Sequence, residues 1–169
     1  DEVENLLGNT KTQVIKKENK LSEGTVLGVK GQVFIKYDGD KTWKQLLKGD
    51  KVREKGIIIT MEQSEITIKM TDIANATILA KLRAVINTLR TNPDVEAVSE
   101  TEINLLAGKV YSNIKKSLEN GSRYEVKTGS ATAGVRGTQF LSWRDRRGAS
   151  GVHVFRGIVA FTNHNTGKI

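Results

Sequence analysis

One glycine-rich stretch has the spacing closest to a ligand-binding loop. It comprises Gly134, Val135, Arg136, Gly137 and Thr138. A phosphate-binding loop would need G-x-x-x-x-G-K-[ST], and a dinucleotide fingerprint would need three glycines between a strand and a helix. The residues after Thr138 read as a strand, so no helix N-terminus follows that could bind a phosphate. We therefore expect a structural role, in which two backbone segments approach closely and Arg136 donates to carbonyls.

The histidines and acidic residues do not form a recognisable catalytic or metal-binding pattern. Cysteine is absent and histidine occurs twice, which excludes thiolate metal sites and disulfides and argues against a classical zinc site. His153 lies between Val152 and Val154 in an alternating run, so we expect it to face away from both. A hydrolase would need a serine or acid beside it in space, and no motif places one there. The sequence predicts no enzyme activity, no cofactor and no metal.

A basic cluster follows a tryptophan near the end of the chain. It comprises Trp143, Arg144, Arg146 and Arg147, in a chain of 169 residues with a formal net charge of +8. Arginine beside an aromatic ring can stack and bind nucleic acid or phosphate. The alternative is the charged tip of a hairpin, because Gly148 follows and strand-like runs lie on both sides. In either case we interpret the cluster as a possible contact surface.

The elements that would position these residues are mostly short strands. Alternating or β-branched runs separated by turns are typical of a sandwich, roll or solenoid. The turns include Asp38-Gly39, Gly49-Asp50, Asn120-Gly121 and Gly148–Gly151. Residues 1–23 are polar and predict a leader or linker, and no run of 18 apolar residues predicts a transmembrane helix.

One segment has a different period. Its apolar residues fall at helical spacing and predict an amphipathic α-helix over residues 75–90, ended by Asn92-Pro93: Ile78, Leu79, Leu82, Val85, Ile86 and Leu89. We expect a helical insertion over residues 72–101 that could be deleted with the β-structure intact. Its apolar stripe would either bind a partner or pack on its own domain, and its polar residues Lys81, Arg83 and Arg90 would be available for a partner.

Several segments resemble the FecR domain family. The most specific is Tyr124–Phe140, YEVKTGSATAGVRGTQF, in which Thr128, Gly134 to Thr138 and Phe140 match the family pattern. Weaker matches are GTVLGVKGQV from Gly24, WKQLLKGD from Trp43, GIIIT from Gly56, LAGKV from Leu106 and VHVFRGIV from Val152. The family's usual proline is replaced by Gly129, and its usual turn after the strand ending at Thr71 is replaced by the expected insertion.

The resemblance implies a mainly β domain over residues 24–169, related to solenoid or jelly-roll-like folds. It also implies a periplasmic or envelope location, possible lipid anchoring upstream, and a non-catalytic role in contacting another envelope protein or a polysaccharide. Two alternatives stay open. The chain could be the periplasmic part of a transmembrane anti-sigma regulator of iron-siderophore uptake, or a basic nucleic-acid-binding protein.

Overall fold

The computed structural model describes residues 18–79, 83–95, 98–115, 121–128 and 131–163. Of residues 131–137 and 163 it describes the backbone alone. The described residues form one curled sheet of thirteen strands and contain no helix and no stacked solenoid coils. The strands are β1 Lys20–Leu21, β2 Gly24–Lys30, β3 Val33–Lys36, β4 Lys44–Gln45, β5 Lys51–Val52, β6 Ile57–Thr60, β7 Glu65–Thr71, β8 Ala74–Ile78, β9 Arg83–Thr91, β10 Ser99–Ile114, β11 Arg123–Lys127, β12 Ala131–Arg144 and β13 Ser150–Asn163. The prediction of a mainly β domain is confirmed.

Strand β10 is the centre of the sheet because it has four neighbours. Its first half pairs antiparallel with β9 and parallel with β11, and its second half pairs antiparallel with β8 and β12. The change of partners falls near Gly108, which has a positive φ of 106°. An L side chain is strained in that region, and glycine is not. Strand β13 is bonded to β12 alone among the described strands.

The core lies on one side of this curled sheet. Strand β7 shows the rule, since Ile66, Ile68 and Met70 are buried while the residues between them are partly exposed. The same alternation places Val110 and Ile114 of β10 in the core, next to Phe140 of β12. Because successive side chains in a strand point to opposite faces, each of these strands also presents a second set of side chains away from the core.

The predicted helix over residues 75–90 is wrong. Residues 74–78 and 83–91 are the strands β8 and β9, and both lie inside the sheet, against β10. Ala74, Ala76 and Ile78 are buried in β8 with period two. These strands are therefore part of the sheet's framework, and the proposed helical insertion over 72–101 is not present.

A β-bulge in β9 explains why this segment imitates a helix. Thr88 pairs with Glu102 and Ile86 pairs with Ile103, so Asn87 is an extra residue in the ladder. Beyond the bulge the buried position moves from Ile86 to Leu89, three residues later. A spacing of three is what an apolar helical face would show.

Several predicted turns are confirmed. Gly39 and Gly49 have positive φ angles of 84° and 91°. Asp40 and Asp50 cap these turns, since each carboxylate accepts from a backbone N–H three residues earlier, at 3.0 and 2.9 Å. Asn92, predicted to end a helix, instead begins the turn after β9 by accepting from the Asp94 N–H at 2.9 Å.

Candidate binding face

The basic cluster is the tip of the β12–β13 hairpin. Asp145 organises it, since its Oδ1 accepts from the backbone N–H groups of Arg147 and Ala149, both at 2.9 Å. Its own backbone N–H donates to the Ala149 carbonyl at 2.8 Å. The predicted hairpin tip is therefore present, and Asp145 serves the turn. Arg146 and Arg147 are exposed, and Arg144 is half-buried.

Trp143 lies at the base of this hairpin. It pairs with Lys109 of β10 on one side and with Gly151 of β13 on the other. A Cβ atom added to Gly151 would lie 2.7 Å from three atoms of the indole ring. The ring therefore packs directly against the Gly151 backbone, and only glycine leaves room for it.

A groove of about 500 Å³ opens beside this tryptophan. Its volume falls within the range of about 300–1,000 Å³ that is usual for small-ligand sites. Lys109, Trp143, Arg144 and Arg146 line it, together with Leu79, Ala107, Gly108 and Asp145. We call it the basic groove, because three of its residues are cationic and its carboxylate, Asp145, already accepts hydrogen bonds from backbone N–H groups of the turn.

The side of β10, β12 and β13 away from the core is rich in aromatic side chains. Directly opposed residues share a face, so Tyr111 lies beside Leu141, which lies beside His153. The Phe155 ring meets the Tyr111 ring edge to face with centroids 5.8 Å apart, and the His153 ring at 4.6 Å. We call Tyr111, Trp143, His153 and Phe155 the aromatic face. It is continuous with the basic groove through Trp143.

Phe155 lies on this face at a bulge in β13. Gln139 pairs with Arg156 and Phe140 pairs with Val154, which leaves Phe155 as the extra residue. Its side chain is 57% exposed. His153 is also exposed, while Val152 packs against the core.

The glycine-rich stretch lies inside β12, between β11 and β13. Gly134 pairs with Glu125 and Ala160, and Arg136 pairs with Ile158. The next register shift sets Gly137 and Thr138 against Gly157, whose φ of 89° is positive. The stretch is thus a close antiparallel pairing that ends in a bulge. The side chains of Val135 and Arg136 lie outside the described residues, so the proposed hydrogen bonds of Arg136 stay a prediction.

The other residues of the predicted motif are buried. Phe140 is fully buried, and Thr128 and Thr138 are 2% and 1% exposed. The Tyr124 ring meets Phe140 edge to face at 6.3 Å, and its hydroxyl hydrogen-bonds to Ser112 Oγ at 2.8 Å. Burial raises the pKa of Tyr124 far above its usual value. This environment is a packed interior and has no access for a ligand.

Arg83 and Arg90, which were expected to contact a partner from a helix, lie in strand β9. Arg90 donates to both carboxylate oxygens of Glu54, at 3.1 and 2.9 Å. These bonds lower the pKa of Glu54 despite its burial, and the Leu89 N–H adds a third bond to that carboxylate at 3.0 Å. Arg83 is exposed at the start of β9. Lys81 lies outside the described residues, and a contact role for all three stays a prediction.

A second buried carboxylate joins β9, β10 and β11. Glu102, with 5% of its side chain exposed, accepts from Lys127 Nζ at 2.6 Å and from Asn87 Nδ2, and lies 3.7 Å from Arg123. Burial alone would raise the pKa of Glu102, but the bonds from Lys127 and Asn87 and the nearby positive charges lower it. Lys55 Nζ donates to the Asn87 carbonyl at 2.8 Å, so this network holds the bulge of β9 in place.

Comparison with known protein families shows to which family this chain belongs. The family described as FecR protein matches residues 57–160, which is more than half of the chain. The chain belongs to the FecR family. This is a regulatory family whose members are typically associated with the cell envelope. No curated protein and no solved structure matches the chain.

The FecR match contains both the aromatic face and the basic groove. It runs from the start of β6 into β13, and it includes β8 and β9, where an insertion was expected. The resemblances at Gly24 and Trp43 precede the matched residues and stay a prediction. No helix in the described part of the chain is long and apolar enough to cross a membrane. The described residues also contain no group of three or more His, Asp or Glu residues placed to hold a metal ion.

Sequence reasoning identified only part of this site. It found Trp143 and the arginines of the tip, but it missed Tyr111, Phe155 and Lys109. The sequence does not show which strands pair. Tyr111 and Phe155 are far apart in the sequence, and the pairing of β10 and β13 with β12 brings them together. Alternation did show that Tyr111 and Val110 point to opposite sides, but it could not show which side was the core.

Proposed function

We propose that the chain is a non-catalytic binding and signalling module of the bacterial cell envelope. It contacts an envelope protein or polysaccharide through its aromatic face. The observation that supports this function is the distribution of aromatic residues. Tyr111, Trp143 and Phe155 lie on the face away from the core, whereas Tyr124 and Phe140 are the aromatic residues of the buried core.

An exposed aromatic surface of this kind has an energetic cost that suggests a partner. Burying apolar surface stabilises a protein by about 25 cal/mol per Å², so an exposed apolar group lacks that stabilisation. Aromatic rings lack the most because they are large. Contiguous patches on a folded protein usually mark an interaction site. Phe155 lies on this surface at the β13 bulge, and bulges are frequent next to functional sites.

The test is co-sedimentation of the purified domain with washed envelopes of the bacterium that carries the gene. We expect Phe155→Ala to weaken binding at least tenfold. Leu47→Ala is the matched control, because Leu47 is also apolar and 59% exposed but lies in the turn before β5. Equal binding by the two variants, both at the wild-type level, would refute a role for the aromatic face.

The same assay separates the two kinds of partner. Protease treatment of the envelopes removes a protein partner, whereas glycosidase treatment removes a polysaccharide. Binding that survives both treatments and is competed by DNA would support the nucleic-acid alternative instead. Circular dichroism of each variant verifies that the sheet is intact.

A further inference from the structure

The basic groove carries three positive charges at one end of this surface, and Arg156, the register partner of Gln139, adds one cation towards the other end. Lys109, Arg144 and Arg146 surround it, while Tyr111 and Leu141 continue the surface away from it. Asp145 does not offset these cations fully, because its carboxylate accepts two backbone hydrogen bonds in the turn. The groove therefore favours a negatively charged group.

Arg144 has an unused donor at this site. Its Nε is buried and has no hydrogen-bond partner among the described residues. Buried donors are nearly always paired in native proteins, so an unpaired one suggests an absent acceptor. The Nε and one Nη of a guanidinium form a fork that matches the two oxygens of a carboxylate. Lys109 and Arg146 lie on the same groove and would add charge to the pairing.

Trp143 provides the apolar part of the site. One side of its indole ring packs on Gly151, which fixes the ring, and the ring also lines the groove. A fixed aromatic ring can pack against the C–H face of a sugar with little loss of side-chain entropy. Thr77, which pairs with Tyr111, shares a 3.1 Å hydrogen bond with the Thr67 hydroxyl, and its own hydroxyl keeps capacity for a further bond to a sugar hydroxyl.

We infer that the basic groove binds a carboxylate-bearing sugar of an acidic polysaccharide, with neutral sugars of the same chain lying along the aromatic face. This inference rests on the proposed function and narrows its partner to one class. A nucleic acid fits less well, because each nucleotide carries a phosphate, whereas three cations are concentrated in the groove and the aromatic side chains lie beyond it.

The test uses hyaluronan octasaccharide as the probe, since its glucuronate sugars alternate with neutral ones. Chitohexaose is the neutral probe, and a single-stranded oligonucleotide is the competing class. Trp43→Phe leaves Trp143 as the one tryptophan, because the chain has two. Binding is then followed by the fluorescence of Trp143, and affinities are measured by calorimetry.

We expect hyaluronan to bind at least tenfold more tightly than chitohexaose at low salt, and we expect the difference to shrink as salt is added. Arg144→Ala should remove that preference. Arg147→Ala is the matched control, because Arg147 lies on the same hairpin tip but does not line the groove. Gly151→Ala should weaken binding of both glycans by displacing Trp143. Gly28→Ala should change neither, since an added Cβ there meets no atom within 4 Å.

Three results would overturn the inference. One is equal affinity for the acidic and neutral glycans, and another is an Arg147→Ala variant as weak as Arg144→Ala. The third is tighter binding of the oligonucleotide with the same dependence on Arg144. If no glycan binds but envelope co-sedimentation still requires Phe155, the acidic-glycan inference fails and the proposed function survives with a protein partner. If envelope co-sedimentation is also independent of Phe155, both fail.

Discussion

Replacing Glu102 by glutamine tests the buried network that joins β9, β10 and β11. The substitution keeps the size of the side chain and removes its charge. Lys127 then loses a charge-assisted hydrogen bond of 2.6 Å. The new amide group must also place its NH₂ towards a group that is itself a donor, either Lys127 or Asn87. Both changes destabilise the folded state.

The expected loss of stability is about 2 kcal/mol. A hydrogen bond to a charged group contributes about 1.5–3 kcal/mol to stability, and a hydrogen bond between neutral groups about 0.5–1.5 kcal/mol. Removing the charge from Glu102 should therefore cost about 1–1.5 kcal/mol for each hydrogen bond that it accepts. The bond from Lys127 is discounted, because that side chain is 42% exposed and water can solvate it. For a domain of this size, about 2 kcal/mol corresponds to a fall in Tm of about 4–8 °C.

The control is Glu125→Gln on the neighbouring strand. Glu125 is the register partner of Glu102 and lies 3.3 Å from Arg123, but its side chain is 22% exposed compared with 5% for Glu102. Its loss should cost less than about 0.5 kcal/mol. Thermal melts followed by circular dichroism measure both variants. Equal shifts in Tm would refute the special role of the buried carboxylate.

The pH dependence of the same melts provides an independent test. The folded-state pKa of Glu102 lies below its ordinary value of 4.5. Ionisation of Glu102 therefore stabilises the folded state above that pH, and the contribution is lost as the pH falls through the folded-state pKa. The difference in Tm between the wild type and Glu102→Gln should shrink below about pH 4.5. A difference that persists unchanged in that range would contradict the assignment.

Three further outcomes follow from the packing. Tyr124→Phe should lower stability by about 1–2 kcal/mol in denaturant melts, because it leaves Ser112 buried without its 2.8 Å partner; an unchanged midpoint would contradict this. Deleting residues 72–101 should abolish cooperative unfolding and the β signal in circular dichroism, because it removes two strands from the sheet; a folded product would show that these strands are dispensable. Gly31→Ala should lower Tm, because φ at Gly31 is 77° and an added Cβ would overlap Ser64, and a Tm at the wild-type value would show that the turn relaxes at no cost.

Much of the strand content could be predicted because alternation is local. The runs around Ile35 and Ile68 have a period of two, and the turn at Gly39 has the dipeptide that a positive φ favours. The family could be predicted from the dense motif that ends at Phe140. The order of the strands could not, since a register such as Tyr111 with Leu141 joins residues 30 positions apart, and no local pattern specifies that pairing.

β-Bulges explain why the spacing of apolar residues predicted a helix where the structure has strands. At Asn87 the extra residue moves the buried position by one, so two adjoining strands read as one helical stripe. The alanines at 76 and 84 added to the error, because they are fully buried core residues that do not stand out as apolar in the sequence.

The irregularity in β13 leaves the aromatic face intact. Regular alternation places Val152 and Val154 on one face of the strand and His153 and Phe155 on the other, where Phe155 meets His153 and Tyr111. The extra residue changes the alternation only beyond Phe155, since Arg156 then pairs with Gln139. Exposing a large ring stabilises nothing in the isolated domain. A contiguous aromatic surface beside three cations is therefore better explained by a ligand on this face than by packing within the fold.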